Sequence, residues 1–368
     1  MDIVVIGAGP MGIMSSISIK KNHPSFNVTL VEKDENIGAR IKVSGNGRCN
    51  LGNTNINIDA YNHPLFVKDI LKYKDKLFTY LKEVGFSYFN DEEGRIYPTS
   101  ETSTTLIYAL NKLLTKYNVN VLTSSKVTSI NKVNNKYQVN LENKALLCDK
   151  LVLSIGGLAK NNTSENYYNI FNNLNVSIIP FNGSLTPIKT NNVGITMEGK
   201  RSKANVKLYC KNNLLHEENG EILFKKDGVS GIVIFNVSSY LSRLHLKDYK
   251  DYYLMIDLLP NMDKESLNEI LKIDDSYNTL FHPSIAKYLK EHQIDPKNYR
   301  LDIKGLYPLV FSQVSSGGIS ISDINPNLSL KKDNNIFVGG EEIDIDGLCG
   351  GYNIEFAFLC GIKVGEEI

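Results

Sequence analysis

The chain contains 368 residues, with 41 Lys and Arg against 40 Asp and Glu and a formal net charge of +1. Its composition, 42% hydrophobic and 22% charged, is that of an ordinary globular protein, and its length allows two or three domains. The charge balance argues against a large nucleic-acid-binding surface, which needs clustered cations, and no apolar run reaches the ~18–20 residues of a membrane span.

The cysteines and the N-terminus bear on the cellular compartment. Five cysteines are scattered along the chain without a C-x-x-C pair, so neither a disulfide framework nor a redox-active disulfide is expected. The apolar N-terminal stretch has no basic region before it, unlike a signal peptide. We therefore expect a soluble, cytoplasmic protein with no membrane or nucleic-acid partner, and the oligomeric state is left open.

The chain begins with the pattern of a βαβ unit. Residues 2–6 (DIVVI) are wholly apolar, as in a strand buried on both faces, and residues 27–32 (NVTLVE) predict a second strand. Between them, the apolar spacing from Pro10 to about Asn22 indicates a helix.

A glycine motif lies at the first junction between strand and helix. Gly7, Gly9 and Gly12 fit G-x-G-x-x-G: the first allows a tight turn, the second lets the backbone approach a pyrophosphate, and the third permits close helix–sheet packing. Glu32 ends the second strand, where a carboxylate accepts hydrogen bonds from ribose hydroxyls. The sequence therefore predicts a dinucleotide site, for either FAD or NAD.

The middle of the chain predicts first helices and strands, then a β unit. Helical spacing is found at 65–84 and 102–117, and a buried strand at 150–155 ends at Gly156. From about residue 186, alternating apolar stretches, among them 231–238 (GIVIFNVS), predict an antiparallel β unit.

The last third of the chain returns to the pattern of the first. Two helical segments, DKESLNEILK and HPSIAKYLKEH, follow the β unit. A final buried strand at 335–338 precedes Gly339 and Gly340, and a helix that is apolar on nearly all sides runs from Asn353 to about Val364.

Three cations lie in a glycine-rich segment after the second strand. They are Arg40, Lys42 and Arg48, and in a neutral chain their position beside a dinucleotide loop suits phosphate charge and an electron-rich ring. The segment from Lys42 to Asn50, KVSGNGRCN, resembles the K-x-S-G-x-G-R-C-N signature of the HI0933-like flavoproteins, also called BaiN-like or aminoacetone-oxidase-like.

The resemblance to this family runs almost from end to end. The further segments that carry it are 94–110, 220–238, 315–320 and 339–361. The chain departs from the family in the loop at 158–170, which lacks a proline and later glycines, and at 181–188, which lacks a His-Pro pair.

The resemblance implies an α/β fold with a glutathione-reductase-type FAD-binding Rossmann domain built from both chain ends. The expected FAD-binding domain comprises 1–186 and 315–368. An inserted substrate-side domain would span 187–314, with a β-barrel part at about 187–260 and a helical part at about 261–305.

The resemblance also implies which residues contact FAD. Glu341 would bind the ribityl hydroxyls, the turn before the last helix would pass beneath the flavin ring, and the backbone at Val127 would contact adenine. The candidate cofactor-binding residues are Gly7, Gly9, Gly12, Glu32, Lys33, Arg40, Lys42, Ser44, Gly45, Asn46, Gly47, Arg48, Cys49, Asn50, Val127, Gly156, Gly340, Glu341, Gly350, Gly351, Tyr352 and Asn353. No catalytic residue and no metal ligand is singled out.

The implied activity is that of an FAD-dependent oxidoreductase. A hydride would pass between a small organic substrate and flavin N5. The electrons would be returned to oxygen, or they would be supplied by NAD(P)H bound transiently, since the sequence contains no second dinucleotide motif. The alternatives are an FAD-dependent RNA-modifying enzyme and a flavin-binding protein without turnover.

Overall fold

The computed structural model describes residues 1–160, 170–171, 174–191 and 193–368. They form two compact units. Unit 1 comprises Met1–Leu158, the described part of 162–181 and Gly317–Ile368, and unit 2 comprises Asn182–Ser316 with Ala159 and Lys160. Most of the divergent loop at 158–170 lies outside the described residues.

The strands and helices are numbered in chain order. The strands are β1 (Asp2–Ile6), β2 (Asn27–Val31), β3 (Gly52–Asn53), β4 (Tyr88–Asn90), β5 (Arg95–Pro98), β6 (Asn120–Leu122), β7 (Val127–Val133), β8 (Lys136–Leu141), β9 (Ala145–Cys148), β10 (Lys150–Leu153), β11 (Ile178–Ser184), β12 (Ile188–Thr190), β13 (Arg201–Cys210), β14 (Asn213–Lys225), β15 (Gly228–Ser230), β16 (Tyr252–Asp257), β17 (Tyr299–Leu306), β18 (Val314–Ile319), β19 (Ser329–Leu330) and β20 (Asp333–Phe337). The helices with described bounds are α1 (Pro10–Asn22), α2 (Ala39–Val43), α3 (Pro64–Leu71), α4 (Lys74–Lys82), α5 (Ser103–Lys116), α6 (Ile232–Arg243), α7 (Lys264–Ile273), α8 (Pro283–Glu291) and α9 (Tyr352–Glu367).

Unit 1 is built on a six-stranded sheet with the order β19-β20-β10-β1-β2-β6. All neighbours in it are parallel except β19, which pairs antiparallel with β20 at one edge. The central strand β1 is buried on both faces, as its β-branched sequence predicts. The carboxyl ends of the parallel strands therefore meet at one edge, where open α/β sheets bind their ligands.

The two ends of the chain meet in a close helix pair. A Cβ atom at Gly361 of α9 would lie 2.4 Å from the Met11 carbonyl oxygen of α1, and one at Gly365 would lie 2.3 Å from Ser18 Cβ. Only glycine allows this approach. The last helix of the chain therefore packs directly against the first one.

Unit 2 contains a closed barrel with the order β12-β15-β14-β13-β16-β17. Its core is lined by alternate residues of the long strands, such as Ala204, Val206 and Leu208 of β13. The last barrel strand, β17, falls within the segment 261–305 predicted as helical. That prediction is wrong beyond α8, because β17 pairs with both β16 and β12 and so closes the barrel.

The stretch 231–238, predicted as β structure, is also different in the fold. It begins helix α6, whose residues Val233, Ile234, Val237 and Leu241 are buried in the core of unit 2. The β-branched Val233, Ile234 and Val237 favour a strand locally, but these positions also recur at helical spacing. Packing against the barrel core decides between the two structures. The helix predicted at 65–84 is interrupted, forming α3 and α4.

Candidate cofactor site

The three glycines of the loop between β1 and α1 have different surroundings: two are closely packed within the protein, and one faces open space. A Cβ atom at Gly12 would lie 1.9 Å from the Gly7 carbonyl oxygen, and one at Gly7 would lie 2.3 Å from the Ser154 carbonyl oxygen. A Cβ atom at Gly9 would meet no atom within 4 Å, and its backbone has an ordinary extended conformation. Packing within the protein therefore explains Gly7 and Gly12, whereas it gives no reason for glycine at position 9.

The N-terminus of α1 is open beside Gly9. No described side chain caps this helix, and its first turn contains no acidic residue. The N–H groups of Met11 and Gly12 are left without the intrahelical partners that later residues have. Free N–H groups and the positive end of the helix dipole suit a phosphate group.

Glu32 lies next to this loop at the end of β2. Its carboxylate accepts hydrogen bonds from the Ala8 N–H at 2.7 Å and the Asp34 N–H at 3.0 Å, and the residue is 8% exposed. These contacts hold the carboxylate against the glycine loop and leave lone pairs free for further donors, as ribose recognition requires. Val127 starts β7, two residues after Ser125, whose N–H donates to the Glu32 carbonyl oxygen at 2.8 Å.

The segment from Ser44 to Cys49 is a tight turn with unusual backbone conformation. Gly45, Asn46, Gly47 and Cys49 all have positive φ angles between 54° and 86°. The Ser44 hydroxyl donates to the Ile41 carbonyl oxygen at 2.8 Å and thereby ends α2. At the other end of α2, the Gly38 N–H donates to the Ala8 carbonyl oxygen of the glycine loop at 2.8 Å.

The predicted cations are placed at the surface of this segment. Lys33, Lys42 and Arg48 are exposed, and Arg40 is half-buried. The Arg48 guanidinium lies 4.5 Å from the centre of the Tyr97 ring and forms an ion pair with Glu101 at 2.8 Å. Because that pair is about half exposed, water screens it, and it contributes little to stability.

Two asparagines join this segment to the turn before α9. The Asn50 side chain, oriented to satisfy both of its ends, accepts from the Gly351 N–H at 3.0 Å and donates to the Gly52 carbonyl oxygen at 2.8 Å. The Asn53 side chain donates to the Gly350 carbonyl oxygen at 3.0 Å. The motif KVSGNGRCN and the motif GGYN, about 300 residues apart, are therefore joined by a hydrogen bond of Asn50, and Asn53 adds a second link.

The turn at Gly350–Asn353 presents backbone groups more than side chains. Gly351 has a φ of 99°, and a Cβ atom there would lie 2.4 Å from the Gly52 carbonyl oxygen, so only glycine fits. The Asn353 side chain is engaged with the backbone of Gly347, at 2.8 and 2.9 Å. The Tyr352 carbonyl oxygen accepts from the Tyr61 hydroxyl at 2.9 Å. These contacts shape the turn, and no described side chain caps the N-terminus of α9.

The two adjacent acidic residues after β20, Glu341 and Glu342, differ in burial. Glu341, predicted to bind ribityl hydroxyls, is half-buried, and Gly340 beside it packs against Ala357 and Met11. Glu342 is completely buried, and no described donor forms a hydrogen bond of normal geometry with either carboxyl oxygen. Burial raises its pKa well above 4.5, although the N–H groups of Ile155 and Gly156 face it and oppose the shift.

The cysteines of the two motifs offer no evident nucleophile. Cys49 is completely buried, and burial raises its pKa to about 11, so the reactive thiolate is scarce at neutral pH. None of the five cysteines forms a disulfide bond with another described residue. Within the described ranges, no group of three or more His, Cys, Asp or Glu is placed to hold a metal ion.

Sequence reasoning missed three polar features of unit 1. They are the buried carboxyl group of Glu342, the ion pair of the buried Glu355 with the partly exposed Lys74, and a half-buried pair of His63 with Asp344 at 3.4 Å. Glu342 and Glu355 stand in apolar surroundings on elements that the sequence identified correctly. A charged residue inside a pattern that predicts burial was the signal that could have found them.

Comparison with known proteins indicates the same type of nucleotide-binding domain as the fold does. The model of a family described as "HI0933-like protein Rossmann domain" matches residues 1–367. The chain is 23% identical over 403 residues to a 3-dehydro-bile acid delta(4,6)-reductase of Clostridium scindens, covering 99% of this chain and 98% of the relative. It is 22% identical over 408 residues to a ribosomal RNA dihydrouridine synthase of Haemophilus influenzae, covering 99% and 98%.

A solved structure with the same fold is 3-ketosteroid delta1-dehydrogenase from Sterolibacterium denitrificans. It has a TM-score of 0.56 at 10% identity and covers 99% of this chain and 98% of its own. The family model, the relatives and the shared fold together define a flavin-dependent oxidoreductase with a Rossmann-type FAD-binding domain. The chain belongs to the HI0933-like family, so the predicted fold class and family are confirmed. No helix in the described part of the chain is both long and apolar enough to span a bilayer.

Proposed function

We propose that unit 1 binds FAD at the carboxyl edge of its sheet and that the enzyme reduces a C=C bond conjugated to a carbonyl group, using NAD(P)H as electron donor. The observation that carries the cofactor assignment is the open surface at Gly9. The protein's own packing does not require glycine there, and the adjacent helix N-terminus offers free N–H groups.

The residues at the carboxyl edge of the sheet in unit 1 suit the successive parts of FAD. The N-terminus of α1 would take the pyrophosphate, with Arg40 and Lys42 near its charge, and Glu32 would accept hydrogen bonds from the adenosine ribose. Gly156, with a φ of 79° and no atom within 4 Å of a Cβ position, would leave room for the cofactor beside β10. The backbone at Gly350–Asn353 would face the flavin ring, and Glu341 the ribityl chain. When bound, FAD supplies hydride transfer.

The proposed reaction class rests on what the activities of the related proteins have in common. A bile acid reductase that acts on delta(4,6) bonds of a 3-dehydro substrate saturates bonds conjugated to a ketone. A dihydrouridine synthase saturates a ring C=C bond, and a 3-ketosteroid delta1-dehydrogenase makes such a bond next to a ketone. The shared chemistry is addition or removal of hydrogen across a C=C bond in a ring that carries a carbonyl group.

Unit 2 offers a surface that suits a ring substrate. Phe311 is 55% exposed and stands edge-on to Tyr307, with 5.6 Å between ring centres. Lys189 and Lys225 each lie 5.5 Å from the centre of the Tyr307 ring, and Asp227 accepts a hydrogen bond from its hydroxyl. Aromatic side chains flanked by cations favour a planar or apolar ring that carries a negative group.

We expect the purified protein to be yellow, to release FAD, and to lose flavin colour on anaerobic mixing with NADH or NADPH. Cyclic enones, including 3-keto steroids with ring double bonds, should then restore the colour faster than buffer does. Stopped-flow absorbance measures both steps. Bleaching by an amine and not by nicotinamide would overturn the reductase assignment in favour of an oxidase.

Changing Glu32 tests the ribose contact. Glu32→Ala is expected to weaken FAD binding by roughly 10- to 100-fold, because one charge-assisted hydrogen bond contributes about 1.5–3 kcal/mol. Reconstitution with FAD, followed by fluorescence, measures the affinity. Glu35→Ala, at an exposed carboxylate three residues further along the chain, is the control. Unchanged FAD affinity in Glu32→Ala would refute the role in ribose binding.

Reduction of uridine in ribosomal RNA is the second candidate, because a dihydrouridine synthase covers the whole chain at nearly the same identity as the bile acid reductase. The net charge of +1 weighs against it, since RNA phosphates demand clustered cations. Incubation of the NADPH-reduced enzyme with unmodified ribosomal RNA, followed by nucleoside mass spectrometry, decides the matter. Dihydrouridine formation without turnover of any enone would replace the first candidate.

A further inference from the structure

A buried carboxyl group lies directly behind the turn that precedes α9. Glu355 is in the first turn of this helix and is 0% exposed. Its Oε2 accepts a hydrogen bond from the Asn53 N–H at 3.0 Å, while Oε1 has no hydrogen bond from any described residue. A Cβ atom at Gly52 would lie 2.6 Å from Oε2, so the carboxyl group fills a space that only glycine leaves open.

The carboxyl group is connected to the turn by short contacts. The same Asn53 donates its side-chain N–H to the Gly350 carbonyl oxygen at 3.0 Å. The Glu355 N–H donates to the Gly351 carbonyl oxygen at 3.2 Å. The group is thus one helical turn, about 6 Å along the axis, from the N-terminus of α9. A charge gained or lost at Glu355 therefore changes the electrostatic potential at the Gly350–Asn353 turn.

The groups around Glu355 leave its charge only partly balanced. Lys74 of α4 forms an ion pair with Oε1 at 3.5 Å and also donates to the Asn53 carbonyl oxygen. Tyr61, which precedes α3, and Tyr352 and Cys360 of α9 itself are the other titratable groups near this cluster. Lys363 of the same helix acts on Cys360, and the buried carboxyl group of Glu342 faces Ile155 and Gly156 instead.

Burial has the largest influence on Glu355. It raises the pKa of the carboxyl group to about 7, and Lys74 opposes the shift without cancelling it. The reason is that full burial removes the hydration of the carboxylate, while the ammonium group is shared with a carbonyl oxygen. The group therefore exchanges its proton in the range of physiological pH.

We propose that Glu355 is a redox-linked proton site: Oε1 takes up one proton from solvent when FAD bound against the Gly350–Asn353 turn is reduced, and it releases the proton on reoxidation. This inference rests on the proposed function. Two electrons and the hydrogen of the hydride go from the donor, a nicotinamide or dithionite with water, to the cofactor. One further proton goes from solvent to Oε1, where the only new bond is O–H, and Lys74, a quarter exposed, links the site to solvent.

The physical reason is electrostatic. Negative charge that accumulates at the N-terminus of α9 raises the free energy of an ionised carboxylate one turn away. Protonation of Glu355 removes this repulsion. The protein then needs no further cation at the turn to hold the reduced cofactor.

The test measures proton uptake rather than turnover. The FAD-loaded protein is reduced anaerobically with dithionite in weakly buffered solution with a pH indicator, at intervals from pH 5.5 to 8.5, and the midpoint potential is measured over the same range. Because the carboxyl group has a pKa of about 7 before reduction, we expect the extra proton uptake of the native protein to reach its maximum above pH 7, where it approaches one proton per two electrons. This extra uptake should be lost in Glu355→Gln. The glutamine oxygen still accepts from Asn53, so the turn keeps its shape.

Two further variants complete the design. Glu367→Gln changes an exposed carboxyl about 18 Å further along the same helix, and it should behave like the native protein. Lys74→Met removes the cation and should move the maximum of proton uptake to higher pH. It decides the matter if Glu355→Gln does not retain FAD. Equal proton uptake in the native protein and Glu355→Gln, or an unmoved maximum in Lys74→Met, overturns the proposal.

Failure of this inference is distinguishable from failure of the proposed function. A protein that binds no FAD contradicts the cofactor assignment itself. A protein that binds FAD and is reduced by NAD(P)H, with the same proton uptake in all variants, contradicts only the role of Glu355.

Discussion

Gly9→Ala is expected to yield a folded protein that has lost most of its affinity for FAD. The added methyl group meets no atom within 4 Å, and the backbone conformation at Gly9 is one that alanine adopts freely. Stability without cofactor should be unchanged or higher by about 0.4–1 kcal/mol, because alanine restricts the unfolded chain. In the cofactor-bound protein the methyl group occupies the space proposed for the pyrophosphate. Overpacking of about 1–3 kcal/mol corresponds to roughly 10- to 100-fold weaker binding.

Gly12→Ala is the matched control for this experiment. Its methyl group would lie 1.9 Å from the Gly7 carbonyl oxygen and 2.4 Å from Ser154 Oγ, so the cofactor-free protein itself should be destabilised. Thermal unfolding of the apo proteins and FAD titration separate the two effects. A Gly9→Ala variant that binds FAD as tightly as the native protein would mean that the cofactor does not lie against this loop.

Glu342→Gln is expected to make the protein more stable at neutral pH and to remove a component of its pH dependence. Burial raises the folded-state pKa of Glu342 well above 4.5, whereas the unfolded chain ionises near that value. Between the two pKa values the unfolded state has lost the proton and the folded state has kept it. The free energy of unfolding therefore falls by up to about 1.4 kcal/mol per pH unit as the pH rises.

The difference between native protein and variant isolates this group. Below pH 4.5 the carboxyl group is protonated in both states, and its contribution to the pH dependence vanishes. From pH 5 to pH 7 the variant should gain up to about 2.7 kcal/mol relative to the native protein. Glu341→Gln, at the half-buried neighbour, is the control. Unfolding curves of Glu342→Gln that remain parallel to those of the native protein over this range would show that Glu342 is ionised in the folded state.

Several features could be predicted from the sequence because they are local. The βαβ unit, the glycine motif and the position of Glu32 lie within the first 32 residues, and each depends on periodicity or on spacing along one strand, turn or helix. The buried strands at both ends of the chain carry their own signal, an unbroken apolar run. The structure agrees on these elements to within a few residues.

The two wrong predictions, β structure at 231–238 and helical structure up to residue 305, have a common physical origin. Residues 231–238 satisfy both strand and helix spacing, and the choice depends on what they pack against. The strand Tyr299–Leu306 has neighbours at Ile188–Thr190 and Tyr252–Asp257, and the need to close a barrel is not expressed in its own eight residues. Pairing between remote segments adds stability that local preferences do not contain.

The sequence by itself determined the class of the protein: an α/β fold, a dinucleotide motif with its acidic partner, and a family signature in Lys42 to Asn50. The tertiary structure alone decided the surroundings and contacts of each residue. It separates Gly9, which faces open space, from Gly12, which faces a carbonyl oxygen, although both belong to one motif. It also brings Asn53 to Gly350 and to Glu355, about 300 residues away. The physical reason is that a residue's environment, and with it its pKa and its exposure, arises only when distant parts of the chain exclude water together.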